Sequence, residues 1–260
     1  MRKTLLILFS IGYIACTPTK ESTIDTTLQS KVDSILQNKM SEINAISGQA
    51  IVMDIQKDEV KAIVGNGKKQ HSSLMRPISL HKALETGKVH LTDTVDTEEG
   101  IAIINGDTIK DNNWHRGGYG KITLKQGLAC NSSIAVAKAT QMAGVEVVDS
   151  LVTPLEMLKL FNGIIKNDSL KSALRYYITD GLGKQASSEK TEVAGFSGRN
   201  TISDKNPEQI EYAVEFIGYF PADAPKYSII VSMNKKGLPA SGGLMAGSVF
   251  KDIVDCMAAK

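Results

Sequence analysis

Residues 70–87 read QHSSLMRPISLHKALETG. The stretch is a loop running into a helix that continues to about Glu85, with Ser73 and Arg76 three residues apart near its start. Residues at that spacing lie one helical turn apart on the same face, so a hydroxyl and a guanidinium are placed side by side. The rest of the chain decides whether that pairing is a chance of composition or part of a site.

Upstream, Leu28, Val32, Ile35, Leu36, Met40 and Ile43 form one apolar stripe at helical spacing, which predicts a helix packed on a sheet. Two strands follow, GQAIVMD (48–54) and EVKAIVG (59–65), with a turn-like junction that predicts a hairpin. Downstream come a Gly- and Asn-rich loop over 96–120 and a helical reading from Thr123 to Met142. Thr153 and Pro154 then stand at the N-cap and first-turn positions of a further helix, and another covers Leu170–Ile178. The last third holds three strands, TEVAGFSGRN (191–200), EYAVEFIGYF (211–220) and KYSIIVSM (226–233), before a helix from Met245 to Met257. Strands from both ends with helices between them predict an α+β fold: one mixed, mainly antiparallel five-stranded sheet covered by helices.

The 260 residues are 42% hydrophobic, enough to bury a substantial core. A net charge of +2, from 30 basic and 28 acidic residues without a basic cluster, argues against nucleic acid as a partner. Scattered His71, His81, His90 and His115, with Cys130 and Cys256, give no metal-ligand spacing, and no cofactor is expected. Arg2 and Lys3 precede an apolar run from Leu5 to Ile14 that ends in Ala15–Cys16, the layout of a secretory signal. Cys16 at that place looks like the acylated cysteine of a bacterial lipoprotein; the alternative is an ordinary signal peptide whose Cys16 is removed, since Tyr13 stands where a leucine is more usual. The expected organisation is a signal peptide over 1–15, a lipidated cysteine and polar tether over 16–25, and one domain over 26–260 on the outer side of a membrane, facing the periplasm or the exterior.

Six segments in order resemble the transpeptidase domain of penicillin-binding proteins, grouped with the serine β-lactamases. They are GQAIVMDIQKDEVKAIV (48–64), SSLMRPISLHKALE (72–85), GGYGKITLKQGLACNSSIAVAKA (117–139), TPLEMLKLFNGIIKN (153–167), VAGFSGRN (193–200), and EFIGYFPADAPKYSIIVSM (215–233) followed by GGLMAGSVFKDI (242–253). The resemblance implies a serine that attacks the D-Ala-D-Ala end of a peptidoglycan stem peptide or a β-lactam ring, forming an acyl-enzyme. Ser73 stands at the nucleophile's place.

The motifs depart from that pattern at three points. Where the family has a lysine base, Arg76 offers a guanidinium that stays protonated and can only donate. The second motif, Ser-x-Asn, reads Ala129-Cys130-Asn131, losing the relay hydroxyl and keeping the amide that would orient a ligand. The third, Lys-Thr-Gly, reads Phe196-Ser197-Gly198, keeping a hydroxyl and a glycine for close approach of a ligand's backbone but not the cation; Arg199 follows as a candidate carboxylate contact. Ser187/Lys190 and Ser232/Lys235 also satisfy Ser-x-x-Lys, and Lys235-Lys236-Gly237 imitates the third motif, all outside the family context. Loss of a general base alone costs on the order of 10²- to 10⁴-fold. The expectation is therefore a pseudoenzyme with Ser73 as a vestigial nucleophile, Arg76 and Asn131 beside it, and Phe196, Ser197, Gly198 and Arg199 lining a groove for peptidoglycan peptide, a β-lactam or a cell-envelope protein. The alternative is an active serine D,D-transpeptidase or carboxypeptidase, or a β-lactam-acylated sensor, using Ser73.

Overall fold

In a computed structural model, residues 22–71, 73–166, 168–203 and 210–259 are described; the expected signal, Cys16 and most of the tether lie outside them. In chain order the elements are α1 (Thr26–Glu42), β1 (Ala45–Asp54), β2 (Glu59–Gly65), β3 (Gln70–His71), α2 (Met75–Glu85), β4 (Thr94–Asp96), β5 (Ile101–Ile104), β6 (Asp107–Lys110) and β7 (Lys121–Thr123). There follow α3 (Leu124–Ala129), α4 (Ser133–Ala143), β8 (Leu151–Val152), α5 (Pro154–Ile164), α6 (Lys171–Thr179), β9 (Ala194–Ser203), β10 (Glu211–Phe220), β11 (Tyr227–Lys236) and α7 (Gly247–Ala258).

Five long strands form one sheet in the order β2-β1-β11-β10-β9, and every neighbouring pair is antiparallel. The N-terminal hairpin thus completes a sheet begun by the C-terminal strands, as the element order predicts. Alternation along β10 shows how the sheet is covered. Phe216 and Gly218 face α7, where the Phe216 and Phe250 rings lie 4.8 Å apart, while Tyr219 on the other face meets Phe161 of α5. α1 packs beside α7, burying Leu28, Val32 and Leu36 from the predicted stripe. Asp25 caps α1 by accepting from the Leu28 N–H, and its own N–H donates to the Lys61 carbonyl of β2. Thr23 also bonds to Val60, so the polar segment expected to be a free tether up to residue 25 is docked on the sheet from about Thr23.

Two sequence expectations need correction. The helix over Thr123–Met142 is two helices: α3 ends at Ala129, Asn131 takes a left-handed φ of +59°, and Ser132 starts α4 by accepting from the Ala135 N–H. The loop over 96–120 contains strand structure, with β4 paired to β7 and a β5–β6 hairpin turning at Asn105–Gly106. Both turn residues have positive φ, as a two-residue hairpin turn requires, and Ala102 and Ile104 pack on Ile134 and Ala137 of α4. The Asn-Gly pair after the β-branched run IAII was the signal for this hairpin.

Among the described residues no helix is long and apolar enough to cross a membrane.

Candidate active site

Ser73 sits in the turn entering α2 and is 8% exposed. Its Oγ accepts the Arg199 backbone N–H at 2.9 Å and lies 3.3 Å from the Arg199 carbonyl, to which it donates. The edge strand β9 is therefore closed directly onto the serine. Gly198 makes this approach possible, because a Cβ there would fall 2.9 Å from Ser73 Oγ and 3.3 Å from the Leu74 side chain. The retained glycine admits the protein's own hydroxyl.

Arg76 points into the same junction, where two of its N–H donors are engaged by Asn131 of the second motif and by Ser133 just after it. Nη1 donates to Asn131 Oδ1 at 2.6 Å and Nη2 to Ser133 Oγ at 2.8 Å. Asn131 in turn donates from Nδ2 to the Ser197 carbonyl at 3.4 Å, so its amide ties α2, the α3–α4 junction and β9 together. Behind it, buried Asp111 accepts from Ser132 Oγ at 2.7 Å and from the Ile134 N–H at 3.1 Å. Burial lowers the Arg76 pKa from its ordinary value, and the charge of Asp111 opposes that shift. A guanidinium starting so high remains a cation, and it accepts nothing from Ser73.

The third motif is turned inward. Phe196, expected to line the ligand groove, is fully buried with its ring centroid 4.7 Å from that of Tyr177 in α6. This corrects the expectation: at the place of a cation there is a core aromatic offering no surface to a ligand. Ser197 is also enclosed, and its hydroxyl shares a short hydrogen bond with Tyr177 Oη. The exposed Arg199 side chain lies over the Tyr212 ring, 5.9 Å from its centroid, and does not line the cleft at Ser73. The expected pair of guanidinium groups in one cleft is thus reduced to Arg76. Cys130 is a packed thiol whose Sγ lies 3.5 Å from the Gly127 carbonyl, and burial pushes its pKa up to about 12, which rules against a reactive thiolate.

The imitations of the motifs lie elsewhere. Ser232 and Lys235 are both on β11, and the Lys235 ammonium is buried against the carbonyls of Lys236, Gly237 and Pro239 at 2.7–3.2 Å, where it holds the strand's exit. Ser187 and Lys190 lie in the segment between α6 and β9. Asp111, Ser133, Tyr177 and Glu215 belong to the junction without any local sequence signal. Glu215 stands opposite Gly198 across the β9–β10 ladder, on its Ser73-facing side, and its carboxylate accepts from Ser232 Oγ at 3.2 Å.

An open cleft of about 310 Å³ remains beside the closed centre, lined by Ser73, Met75, Arg76, Ser79, Val147, Val148, Asp149 and Asn200. A larger cavity of about 420 Å³ lies between the start of α1, the β1–β2 turn and the end of α7, and no motif residue lines it. Chemically, the Arg199 N–H is bonded to the Ser73 oxygen itself, and it would have to leave that oxygen before it could stabilise the oxyanion of an acyl intermediate. No side chain among the described residues is bonded to Ser73 Oγ to remove its proton.

The backbone arrangement has close counterparts. A peptidoglycan glycosyltransferase from Burkholderia ambifaria superposes with a TM-score of 0.76 at 18% identity, over 92% of this chain and 97% of that one. The TP domain of Burkholderia pseudomallei penicillin-binding protein 3 superposes at 0.71 and 17% identity, over 96% and 97%. The fold is that of a penicillin-binding-protein transpeptidase domain. No family model matches the chain, and no curated protein matches it by sequence. At such identity the shared transpeptidase fold carries no chemistry with it, so function rests on the residues at the junction.

One consequence is measurable in alkali. The Tyr177 phenol, buried against Ser197, has its pKa raised by burial from 10.0 to about 12. Below pH 10 both folded and unfolded chains hold this proton; between about 10 and 12 only the folded chain does. Stability conferred by the raised value is therefore lost as pH rises through that window, by about 2–3 kcal/mol for this group. Thermal melts from pH 9 to 12 should show this fall, and Tyr177→Phe should make it shallower without abolishing it, because burial also raises the pKa values of Tyr119, Tyr219 and Cys130; an unchanged slope would mean that Tyr177 ionises freely in the folded chain.

Proposed function

We propose that this chain is a lipid-anchored, catalytically silent transpeptidase-fold protein of the cell envelope, which binds peptidoglycan peptide or a partner in cell-wall metabolism without becoming acylated. One observation carries the reading: the group in the base's position, Arg76, is bonded to Asn131 and Ser133, while Ser73 Oγ is held between the N–H and carbonyl of Arg199. A serine hydroxyl needs a base to become a nucleophile, and a permanent cation with its donors engaged supplies none. The lost relay at Ala129 and the buried ring at Phe196 remove proton transfer to the leaving group and the attraction for a ligand carboxylate on β9.

Lipid anchoring rests on the Arg2–Cys16 layout. Mass spectrometry of the membrane-extracted protein should find acyl groups on an N-terminal Cys16, and Cys16→Ser should release the chain from the membrane. Silence is tested by incubating the full chain with a fluorescent penicillin; no covalent adduct should form on Ser73. An adduct that disappears in Ser73→Ala would establish the active alternative, for which the Arg199 N–H, once released from the Ser73 oxygen, supplies an oxyanion donor. Co-sedimentation with purified peptidoglycan, unchanged in Ser73→Ala, tests the binding role.

A further inference from the structure

The cavity of about 420 Å³ at the start of α1 lies apart from every motif and has a chemistry of its own. We infer that it binds a phosphate ester, held by Lys31 and Lys57 with Lys61 beside them, whose source is a membrane lipid head group or a soluble ester. The site goes beyond the proposed function; its lipid source alone rests on the anchoring read from Cys16.

Three lysines and two aspartates line the cavity: Lys31, Lys57, Lys61, Asp25 and Asp54. Both carboxylates are turned to the protein's own backbone. Asp54, 6% exposed, accepts the N–H groups of Gln56 and Lys57 at 3.1 and 3.0 Å and so closes the β1–β2 turn. Asp25 accepts the Leu28 N–H at 2.9 Å as the cap of α1. Lys61 is paired with Glu59 at 2.7 Å. Lys31 and Lys57 are exposed, and among the described residues no hydrogen bond, ion pair or ring contact engages either ammonium. The lining thus carries a net positive charge, and its uncommitted groups are cations. An ammonium acts as a point charge, so two of them on different elements around one space suit a tetrahedral anion better than a planar carboxylate, which favours a guanidinium fork.

Ile24, Leu28 and Met257 give the cavity an apolar side, which fits the carbon part of an ester rather than bare phosphate. The volume lies within the range of small-molecule sites, roughly 300–1,000 Å³. Position adds an independent argument. Thr23 lines the cavity and donates to the Val60 carbonyl, which fixes the chain at this point. Residues 17–22 separate it from Cys16, and however they run they span at most about 25 Å. Acylation of Cys16 therefore keeps the cavity close to the lipid surface, where each lysine that reaches anionic head groups adds about fivefold to binding.

The test is chemical acetylation of lysines in the full chain, read residue by residue by mass spectrometry, with exposed Lys121 on β7 and Lys159 on α5 as references. Glycerol phosphate is the soluble probe and glycerol its uncharged control. Vesicles of phosphatidylglycerol are compared with vesicles of phosphatidylcholine, neither of which has a primary amine to react. Glycerol phosphate should slow acetylation of Lys31 and Lys57 about threefold or more, with a Kd on the order of 1 mM, and leave the references unchanged. Further protection by phosphatidylglycerol and not phosphatidylcholine assigns the ester to the membrane; protection by glycerol phosphate alone assigns it to a soluble source. No protection by glycerol phosphate, or equal slowing of Lys121 and Lys159, would overturn the inference. Protection by phosphatidylglycerol vesicles alone would overturn it too, showing attraction to a charged surface without a site. Lys57→Glu, in an exposed turn, should weaken the protection of Lys31 by about fivefold or more; unchanged protection counts against the site. Cys16 found without acyl groups while glycerol phosphate still protects would defeat the proposed anchoring alone. An acylated chain without protection would defeat this inference alone.

Discussion

Replacing Phe196 by lysine, which would restore the third-motif cation, is expected to destabilise the fold by at least about 4 kcal/mol and to bring no reactivity towards penicillin. The ring is fully buried against Tyr177. Removing a buried phenylalanine costs about 3–5 kcal/mol through lost transfer energy and the cavity left behind. An ammonium forced into the same space adds a desolvation cost that a neutral phenol and hydroxyl repay only in part. For a chain of this size the melting temperature should fall by roughly 8–16 °C. Thermal denaturation of Phe196→Lys against Phe196→Leu separates the terms, since leucine keeps an apolar group. If Phe196→Lys melts within 2 °C of the parent, the site already tolerates a cation and the core assignment of this residue is wrong.

The second large effect falls on Arg76. Truncation to alanine removes both bonds to the second-motif junction and leaves the buried Asp111 without the guanidinium whose charge faces it. Each hydrogen bond from a charged donor contributes about 1.5–3 kcal/mol, so losing the two costs on the order of 3–6 kcal/mol. The lower figure is expected, because Ser132 Oγ and the Ile134 N–H still hold the Asp111 carboxylate. Arg76→Lys should cost less, keeping the charge while losing one of the two contacts. Coupling can be measured by a double-mutant cycle with Ser133→Ala: a hydrogen bond to a charged donor predicts an interaction of about 1.5–3 kcal/mol. Strict additivity would show that the Arg76–Ser133 contact contributes nothing in solution. A residue that began as the loss of a base is thus expected to be a staple of the folded state.

These expectations differ from what the motifs alone suggest. Read as a list of losses, Arg76, Ala129 and Phe196 invite a triple reversion that would rebuild a working centre. In the folded chain only Ala129 is a simple loss, a small side chain at the end of α3. Arg76 and Phe196 have acquired partners of their own, so reversing them removes packing and hydrogen bonds before it adds any chemistry.

Much of the fold was legible because its signals are local. The stripe at Leu28, Val32 and Leu36 and the cap at Thr153–Pro154 lie within one or two turns of the backbone they organise. The break at Asn131 had a local signal, an asparagine suited to positive φ before an N-cap serine, but the apolar residues on either side keep a helical spacing that outweighed it. The inward turn of Phe196 was hidden. Alternation tells which residues of a strand share a face but not which face meets the core, and both faces of β9 are buried over its first half, Ala194–Gly198.

The sequence by itself determined the order of elements, and the loss of a titratable base at position 76 followed from the chemistry of arginine alone. Only the tertiary structure decided what the motif residues do now. Ser73 meets a backbone group 126 residues away, and Arg76 meets side chains 55 and 57 residues away. Bonds across such separations depend on how β9, α2 and the α3–α4 junction converge, and on which side chains the core has space to enclose. No local pattern carries that information, because the free energy that selects those partners comes from burying them together.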